Sequence, residues 1–244
     1  MFPFKKRKTL IKTVDMQIPA HIAIIMDGNR RWADRKKLPK VAGYKVGVEA
    51  LREIYERCLE LNVKYLTIFA FSTENKNRPS DEVNYLKRLF IEALNKEVEG
   101  LKAKNVRLRI LGRIDEVEDD LKEKIESAHR ATQSCNGMGL QVMFNYGGRA
   151  EIVDAVKAIV EKSRNDKSLV IDEALIENNL YMAGIPDPDL LIRTGSEFRV
   201  SNFLLWEIAY SEIVVSKQLF PDFRTDALLE AIKEYSSRTR KFGK

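Results

Sequence analysis

The residues best suited to chemistry follow a short apolar segment near the start of the chain. Ile22–Met26 holds five apolar residues, too few for a helix, and its length predicts a buried strand. Residues 27–32 come next and read Asp-Gly-Asn-Arg-Arg-Trp. Ligands of α/β proteins bind just beyond the carboxyl ends of strands. This turn therefore places a carboxylate that can bind a metal beside two arginines that can bind phosphate, with an exposed tryptophan next to them.

Polar groups also follow three other predicted strands, at residues 72–78, 145–149 and 193–202. The carboxyl ends of parallel strands lie on one rim of a sheet, so these distant segments can converge there. They bring together four arginines, Arg31, Arg78, Arg193 and Arg199, with serine and glycine as further donors. Diphosphate is the natural ligand, because guanidinium groups fork onto phosphate oxygens and stay charged.

Asp27 allows two interpretations. A carboxylate among arginines is commonly an ion-pair partner. The alternative is a Mg²⁺ ligand, since Mg²⁺ often takes only one or two carboxylates and completes its shell with phosphates and water. Glu212 is a candidate second carboxylate, although a lone glutamate is more commonly a solvated surface residue.

Several other chemistries are disfavoured. The chain has neither a Gly-x-x-x-x-Gly-Lys-Ser/Thr loop nor a Gly-x-Gly-x-x-Gly fingerprint, which weakens nucleotide binding. The Asp-Asp-x-x-Asp motif of trans-type prenyl transferases is absent, because Asp119 and Asp120 are followed by Leu-Lys. His21 and His129 are too isolated for a zinc site, and His21 is expected to form hydrogen bonds at the start of a strand.

The elements that must position these residues alternate along the chain. Strands are predicted at residues 22–26, 65–71, 106–111, 140–144, 190–192 and 211–215. Helices are predicted at about 43–61, 80–104 with Ser80 as N-cap, 115–131, 149–163, 171–180 and from 226 onward. Strands separated by helices predict a single α/β domain with a mostly parallel sheet of about six strands surrounded by helices.

The composition of the chain limits the class of protein to which it can belong. The 244 residues are 44% hydrophobic and 32% charged, which predicts a globular cytoplasmic protein with a sizeable core. No segment approaches the roughly 20 apolar residues that span a bilayer. Cys58 and Cys135 are expected to be buried small apolar residues rather than a disulfide framework.

The net charge of +6 comes mainly from a basic N-terminal arm, which we place at residues 1–18. Five basic residues and no acid fall within its first twelve positions, and the rest of the chain holds 37 basic and 36 acidic residues. A near-neutral body argues against nucleic acid as a partner. The arm fits either peripheral contact with an anionic membrane, at about 1 kcal/mol per basic residue, or a solvated tail.

The motifs together resemble the cis-prenyltransferases, the undecaprenyl diphosphate synthase family, from about residue 19 to 224. The resemblance rests on four long segments in the family's order: 21–32, 69–79, 145–149 and 193–206, with Pro221-Asp-Phe as a further match. It implies Mg²⁺-dependent, repeated addition of isopentenyl diphosphate to an allylic diphosphate such as farnesyl or geranylgeranyl diphosphate. The new double bonds are cis, and the product is a polyprenyl diphosphate of the undecaprenyl type, a precursor of glycosyl carrier lipids.

The resemblance also implies a role for individual residues. Asp27 matches the aspartate that brings Mg²⁺ to the diphosphates, Glu212 the second metal-linked carboxylate near the homodimer interface, and Asn75 the residue that assists proton removal. Further positions match substrate-binding sites: Gly28, Asn29, Arg30, Arg31, Trp32, Lys40, Tyr44, Ser72, Thr73, Glu74, Lys76, Arg78, Arg193, Arg199, Val200 and Ser201.

A hydrophobic tunnel between sheet and helices is implied as well, because a carbocation-like carbon needs a dry pocket. Its candidate lining, which could equally be ordinary core, is Phe69, Ala70, Phe71, Leu89, Phe90, Leu94, Met143 and Phe144.

Four positions depart from the family pattern. Tyr44 stands where a histidine is usual and has no titration near neutral pH. Lys76 stands where many bacterial members have tryptophan, Lys40 stands where some members have arginine, and Arg30 stands where bacterial members often have glycine.

A non-catalytic partner subunit of such an enzyme is one alternative, but such subunits typically lack the Asp-Gly-Asn motif, and this chain has Asp27. A basic module that binds nucleic acid or membranes is the other alternative.

Overall fold

The computed structural model describes residues 16–239, so most of the basic arm expected at 1–18 lies outside the described residues. Six parallel strands form one sheet in the order β3-β4-β2-β1-β5-β6. The strands are β1 (His21–Ile25), β2 (Tyr65–Ser72), β3 (Arg107–Leu111), β4 (Gly139–Tyr146), β5 (Leu190–Arg193) and β6 (Glu212–Val215). The predicted α/β domain with a parallel six-stranded sheet is confirmed.

The helices of the described residues are α1 (Asn29–Arg35), α2 (Lys40–Glu60), α3 (Ser80–Ala103), α4 (Asp119–Thr132), α5 (Gly148–Asn165), α6 (Glu173–Glu177) and α7 (Thr225–Ser236). Short 3-10 helices lie at Thr73–Asn77, Ile114–Glu116 and Phe220–Asp222. The long helices α2 and α3 pack over the half of the sheet that holds β2, β3 and β4.

Strand β1 is apolar throughout because both of its faces are covered. Ile22 and Ile24 join the larger core beneath the long helices, whereas Ala23 and Ile25 join a smaller core on the opposite face. All four are nearly inaccessible to solvent. Successive side chains of a strand point to opposite faces, so a strand in the middle of a covered parallel sheet needs apolar residues at every position.

The main difference from prediction lies directly after β1. Residues 27–32 are not a turn alone, because helix α1 begins at Asn29 after Gly28, whose φ of 108° suits glycine. A helix this short carries too little apolar periodicity to be predicted. Packing holds it in place: a Cβ atom on Gly43 of α2 would lie 2.0 Å from the Asn29 carbonyl oxygen, so only glycine allows this approach.

Three helix boundaries also differ. Ser80 is not the N-cap of α3 but its first residue, because Pro79 caps the helix and the Ser80 side chain makes no cap bond. The helix predicted at 115–131 is a 3-10 turn followed by α4. The one predicted at 171–180 is only Glu173–Glu177, where Asp172 caps the first turn through the Leu175 amide.

Smaller predictions are confirmed. The His21 ring bonds the Pro186 carbonyl at 2.6 Å and the Thr67 hydroxyl at 2.7 Å, and burial lowers its pKa to about 4. His21 is therefore a neutral structural residue at neutral pH. Cys58 and Cys135 are buried free cysteines that form no disulfide with each other. Within residues 16–239, no helix has the length and apolar character needed to cross a membrane.

Candidate active site

Asp27 lies between two arginines at the carboxyl ends of β1 and β5. Arg193 Nη2 is 2.8 Å from Oδ2 of Asp27, and Arg31 Nη2 is 3.1 Å from Oδ1. The Arg193 side chain is only 5% exposed, whereas that of Asp27 is 28% exposed. The register of the strands explains the contact between Asp27 and Arg193. Ile25, the last residue of β1, pairs with Arg193, the last residue of β5, so Asp27 follows directly beside Arg193. The expected convergence of these two segments is confirmed.

The segment after β5 forms a tight loop around Arg193. Arg193 Nη1 donates to Ser201 Oγ at 2.7 Å and also to the carbonyl oxygen of Arg199. The Arg199 guanidinium bonds Glu197 at 2.5 Å, and Glu197 also accepts from Arg31 at 3.3 Å. Glu197 of this loop thus contacts both Arg199 of the loop and Arg31, which is itself a partner of Asp27.

Strained backbone marks the same loop. Four of its non-glycine residues have positive φ: Ser196 (65°), Ser201 (48°), Asn202 (63°) and Leu204 (45°). Each such conformation costs on the order of 1–3 kcal/mol and persists only where the surroundings enforce it, most often at functional sites.

Asn202 is a site residue that the sequence interpretation did not single out. Its amide nitrogen donates to Glu74 at 2.7 Å, its side-chain oxygen accepts from the Arg149 amide at 2.8 Å, and its carbonyl accepts from the Gly148 amide at 2.7 Å. It therefore joins the segments that follow β2, β4 and β5. Its position among the polar residues after β5 was the only sequence signal for this role.

A second cluster of arginines surrounds Glu82 at the start of α3. Tyr44 donates to Glu82 at 2.7 Å and accepts from Arg78 at 2.9 Å, while Arg78 and Arg30 lie 3.2 and 3.9 Å from the same carboxylate. Burial and the Glu82 hydrogen bond raise the pKa of Tyr44 above its usual range, so the hydroxyl stays protonated. Glu82 was not among the predicted site residues.

The segment after β2 places Asn75 beside these clusters. Asn75 Oδ1 accepts from the Ser72 amide at 3.2 Å, and both side chains line the same cavity as Asp27. Lys76 points elsewhere and bonds Glu116 at 2.9 Å. Thr73 lies against the segment after β4, where a Cβ atom on Gly147 would be 2.7 Å from its hydroxyl oxygen.

Two adjoining cavities meet at Asp27. One, of about 390 Å³, is polar and lies over Gly28, Arg30, Arg31 and Asp34. The other, of about 370 Å³, runs between the sheet and helices α2 and α3 and is mainly apolar. They share five residues: Met26, Asp27, Asn29, Tyr44 and Arg78. This arrangement suits a ligand with an anionic head and a hydrocarbon tail.

Seven of the eight expected tunnel residues line the apolar cavity: Phe69, Ala70, Phe71, Leu89, Phe90, Leu94 and Phe144. Met143 does not. It is fully buried in the smaller core on the opposite face of the sheet, because it alternates with Phe144 along β4.

The remaining predicted residues lie around these cavities or apart from them. Trp32 is half-buried rather than exposed, since its indole nitrogen donates to Asp222 at 2.8 Å. Lys40 is exposed at the start of α2, and Val200 packs against the smaller core. Glu212 begins the edge strand β6 opposite Leu190, at the amino ends of the strands rather than at the carboxyl ends where Asp27 lies, and it accepts from Arg238 at 2.8 Å. The chain by itself therefore does not bring Glu212 to Asp27.

The donor set around Asp27 fits Mg²⁺ only together with phosphate oxygens. Within the described residues, no group of three His, Cys, Asp or Glu side chains gathers to form a metal cage. Asp27 offers one carboxylate whose oxygens retain lone pairs beyond the two arginine contacts, and it faces both cavities. Mg²⁺ is commonly held by one or two carboxylates, with substrate phosphates and water as its other ligands.

The comparisons with known proteins agree with this geometry. Residues 25–243 match the prenyltransferase family of undecaprenyl diphosphate synthases. An isoprenyl transferase of Heliobacterium mobile is 46% identical over all of this chain and 97% of its own length. The (2E,6E)-farnesyl-diphosphate specific ditrans,polycis-undecaprenyl-diphosphate synthase of Micrococcus luteus is 44% identical over all of this chain and 99% of its own.

A solved structure gives the same result for the fold. The lavandulyl diphosphate synthase of Lavandula x intermedia, crystallised with dimethylallyl diphosphate, has a TM-score of 0.90 and 35% identity, and the match covers 93% of this chain and 99% of that one. Fold and site thus define a prenyl-diphosphate-utilising transferase. The chain belongs to the undecaprenyl diphosphate synthase family of isoprenyl transferases.

Proposed function

We propose that the enzyme condenses isopentenyl diphosphate repeatedly onto farnesyl diphosphate or a related allylic diphosphate, with new cis double bonds, to give an undecaprenyl-type polyprenyl diphosphate. The observation that carries this proposal is the contact of the two cavities at Asp27, one rich in arginine and one apolar. Support comes from the name of the Micrococcus luteus relative, which specifies farnesyl diphosphate.

The allylic diphosphate is assigned to the polar cavity. Arg30 and Arg31, in the first turn of α1, line this cavity and supply the guanidinium groups that would bind a diphosphate. The hydrocarbon tail then enters the apolar cavity beside Phe69 and Phe90. When the allylic C–O bond breaks, negative charge develops on the leaving diphosphate, and the arginines stabilise it.

Isopentenyl diphosphate is assigned to the loop after β5, where Arg193 contacts both Asp27 and Ser201 and the exposed Arg199 supplies a further guanidinium group. Asn75 lies on the cavity wall, held by the Ser72 amide, and is proposed to assist removal of the proton that accompanies the new double bond. Apolar side chains exclude water, which would otherwise capture a carbocation-like carbon.

Asp27 is proposed to hold Mg²⁺ with the substrate phosphates. When bound, Mg²⁺ neutralises diphosphate charge and assists departure of the leaving group. The contacts of Asp27 with Arg31 and Arg193 are consistent with this role, because they fix the carboxylate between the two substrate positions. Glu212 is proposed as a second metal-linked carboxylate that acts across a homodimer interface, since within one chain it lies far from Asp27.

A homodimer is supported by an exposed apolar stripe on α5. Val153, Val156 and Val160 follow helical spacing, and each is nearly half exposed. Contiguous exposed apolar surface commonly marks an interface. Val156→Glu is expected to convert the dimer to a monomer in sedimentation experiments, with Val170→Glu, at another exposed valine, as the control. A Val156→Glu variant that sediments as wild type would exclude this face.

Peripheral membrane contact is supported by the connection between α1 and α2. Leu38 and Val41 are exposed beside Arg35, Lys36 and Lys37, and within residues 16–239 none of these three cations has a carboxylate within 4 Å. Each such cation contributes about 1 kcal/mol near an anionic surface. Cosedimentation with phosphatidylglycerol vesicles should exceed that with phosphatidylcholine vesicles and fall in Lys36→Glu/Lys37→Glu.

The deciding experiment for the reaction is incubation with Mg²⁺, farnesyl diphosphate and labelled isopentenyl diphosphate, followed by dephosphorylation and sizing of the products. We expect polyprenyl products that disappear with EDTA. Asp27→Ala should lose activity by a factor of about 10³ or more, as expected when a central electrostatic group is removed. Absence of elongation with farnesyl, geranyl and geranylgeranyl diphosphate alike would refute the assignment.

A further inference from the structure

The turn that carries Asn75 is not anchored by a buried side chain. It is the 3-10 helix Thr73–Asn77, and none of its five residues is buried. Asn75 lines the apolar cavity, and its side chain accepts from the Ser72 amide at 3.2 Å. A segment with few buried apolar contacts has low local stability. The position of the turn therefore depends on polar contacts with other segments, of which the bond between Glu74 and Asn202 is one.

Lys76 makes a second such contact on another side of the turn. Successive residues of a 3-10 helix are about 120° apart around its axis, so two neighbours cannot face the same way. Asn75 faces the apolar cavity, whereas Lys76 lines neither of the two cavities and bonds Glu116 Oε2 at 2.9 Å. Glu116 ends the 3-10 helix Ile114–Glu116 between β3 and α4. The ion pair thus ties the Asn75 turn to a segment 40 residues further along the chain.

Glu116 is itself held by two further donors. Asn145 Nδ2 lies 3.5 Å from Glu116 Oε2, and Arg113 Nη1 lies 3.6 Å from Oε1. Arg113 in turn makes two bonds to Asp154 of α5, at 2.8 and 3.0 Å. The hydrogen bond from Lys76 lowers the pKa of Glu116, so the carboxylate is charged at neutral pH. Glu116 is therefore a fixed, charged anchor for the ammonium group of Lys76.

We propose that Lys76 is a positioning residue, whose ion pair with Glu116 holds the turn Thr73–Asn77 so that Asn75 faces the reacting substrates. This inference rests on the proposed function, in which Asn75 assists proton removal. Both side chains of the pair are 47% exposed, and exposed ion pairs contribute little to the stability of a whole protein. Loss of the pair is therefore expected to displace the turn while the fold remains intact.

A role of Lys76 in direct contact with substrate leads to different expectations. A lysine that binds a diphosphate acts through its own charge and does not need Glu116. Its removal would raise the KM of a substrate, whereas Glu116→Gln would free the lysine and leave that KM unchanged or lower it. A positioning role instead requires both partners of the pair and affects the rate of the chemical step more than either KM.

The test is a double-mutant cycle on the rate of the first condensation, measured with enzyme in excess and saturating isopentenyl diphosphate. Lys76→Met and Glu116→Gln should each lower this rate about two- to fivefold, the range that an exposed ion pair supplies. The double variant should be no slower than either single variant, because the two side chains act as one unit. Lys76→Arg keeps the ion pair and should retain the wild-type rate.

A second measurement does not involve activity. Hydrogen exchange at residues 72–77 of the intact protein should become about two- to fivefold faster in Lys76→Met and in Glu116→Gln, by the same free-energy difference. The physical reason is that a displaced Asn75 no longer accepts from the Ser72 amide. Exchange within β1 should stay as in wild type, because the core around that strand does not depend on the pair.

The matched control is the ion pair between Asp115 and Lys122, also at 2.9 Å, which joins the same connection to α4 rather than to the Asn75 turn. Asp115→Asn/Lys122→Met should leave both the condensation rate and the exchange at residues 72–77 unchanged. Additive effects of the Lys76 and Glu116 substitutions, or wild-type rate and exchange in Lys76→Met, would overturn the positioning role. Failure of the proposed function is distinguishable, because wild type itself would then show no elongation.

Discussion

The amide of Asn202 donates to the carboxylate of Glu74 at 2.7 Å, and this contact links the segments after β5 and β2 across a separation of 128 residues in the chain. The same asparagine accepts from Arg149 and, through its carbonyl, from Gly148. Three strand ends are thus held in one arrangement by a residue that has no charge of its own. We expect Asn202 to position Ser201 and Arg199, which lie just before it in the chain.

We therefore expect Asn202→Ala to raise the KM for isopentenyl diphosphate about tenfold while the KM for the allylic substrate changes little, because a lost charge-assisted hydrogen bond is worth about 1.5–3 kcal/mol. Steady-state kinetics with each substrate varied in turn provide the measurement. Asn136→Ala, which removes a surface bond to Asn105, is the control. Equal effects on both substrates would contradict a role limited to the loop after β5.

Arg193→Lys tests whether the guanidinium fork, rather than charge alone, is required. Arg193 bonds Asp27 through one nitrogen and Ser201 through the other, and a lysine cannot make both contacts in this geometry. We expect the KM for isopentenyl diphosphate to rise by a factor of about 10 or more, as estimated from the loss of a charged hydrogen bond. Arg164→Lys on exposed α5 should behave as wild type. An unchanged KM in Arg193→Lys would remove the basis for placing this substrate there.

The protonation state of Tyr44 leads to a prediction for how kcat depends on pH. Because burial and Glu82 keep its hydroxyl protonated, the kcat of the wild-type enzyme should show no ionisation from this residue between about pH 6 and 9. Tyr44→His would introduce a group that titrates in that range, and the profile should acquire a new inflection. Tyr44→Phe should lower activity without such an inflection, because it removes the bond to Glu82 and the acceptor for Arg78. Identical profiles for the His and Phe variants would contradict this assignment.

The buried carboxyl group of Glu207 leads to a prediction for how the free energy of unfolding depends on pH. It is 3% exposed, and neither of its carboxylate oxygens accepts a hydrogen bond from a residue in the described range 16–239. Burial and nearby Glu151 raise its pKa from the ordinary value of 4.5 to about 8. The folded state therefore holds a proton that the unfolded state releases above about pH 4.5, so this group lowers stability as pH rises from about 4.5 to 8.

Glu207→Gln should remove that penalty. Its melting temperature should equal that of wild type near pH 5 and exceed it by about 5 °C or more near pH 8, since about 1 kcal/mol corresponds to 2–4 °C at this chain length. Thermal unfolding followed by circular dichroism across this range provides the measurement, and Glu230→Gln, at an exposed glutamate of α7, is the control. A constant difference between Glu207→Gln and wild type across the whole range would show that ionisation is not the cause.

The sequence predicts the sheet well because each buried strand carries its own signal. Ile22–Ile25 is apolar on both faces, and that pattern alone requires a covered parallel sheet. The meeting of Asp27 with Arg193 was also predictable, since both follow strands of one sheet and parallel strands end on one rim.

Features that depend on how helices and loops pack against one another were not predictable. Helix α1 exists because Gly43 of α2 lets the helices approach, and no local pattern in residues 29–35 indicates it. The positions of Glu82 and Asn202 follow from where α3 and the loop after β5 lie in space. The prediction for Met143 was wrong for a simpler reason. Successive side chains of β4 point to opposite faces of the sheet, so Met143 and Phe144 cannot both line the cavity, and Phe144 is the one on the cavity face.

The pairing of β1 with β5 has a consequence for biosynthesis. Ile22 lies beside Leu190, so the strand that ends at Asp27 acquires one of its two neighbours only when most of the chain has been made. Contacts of such long sequence separation form slowly, because loop-closure entropy is lost before they contribute. A nascent chain that stops before residue 190 can pair β1 with β2 but leaves Asp27 without Arg193. We therefore expect fragments that end before residue 193 to lack the arrangement of Asp27 and Arg193 on which the proposed reaction depends.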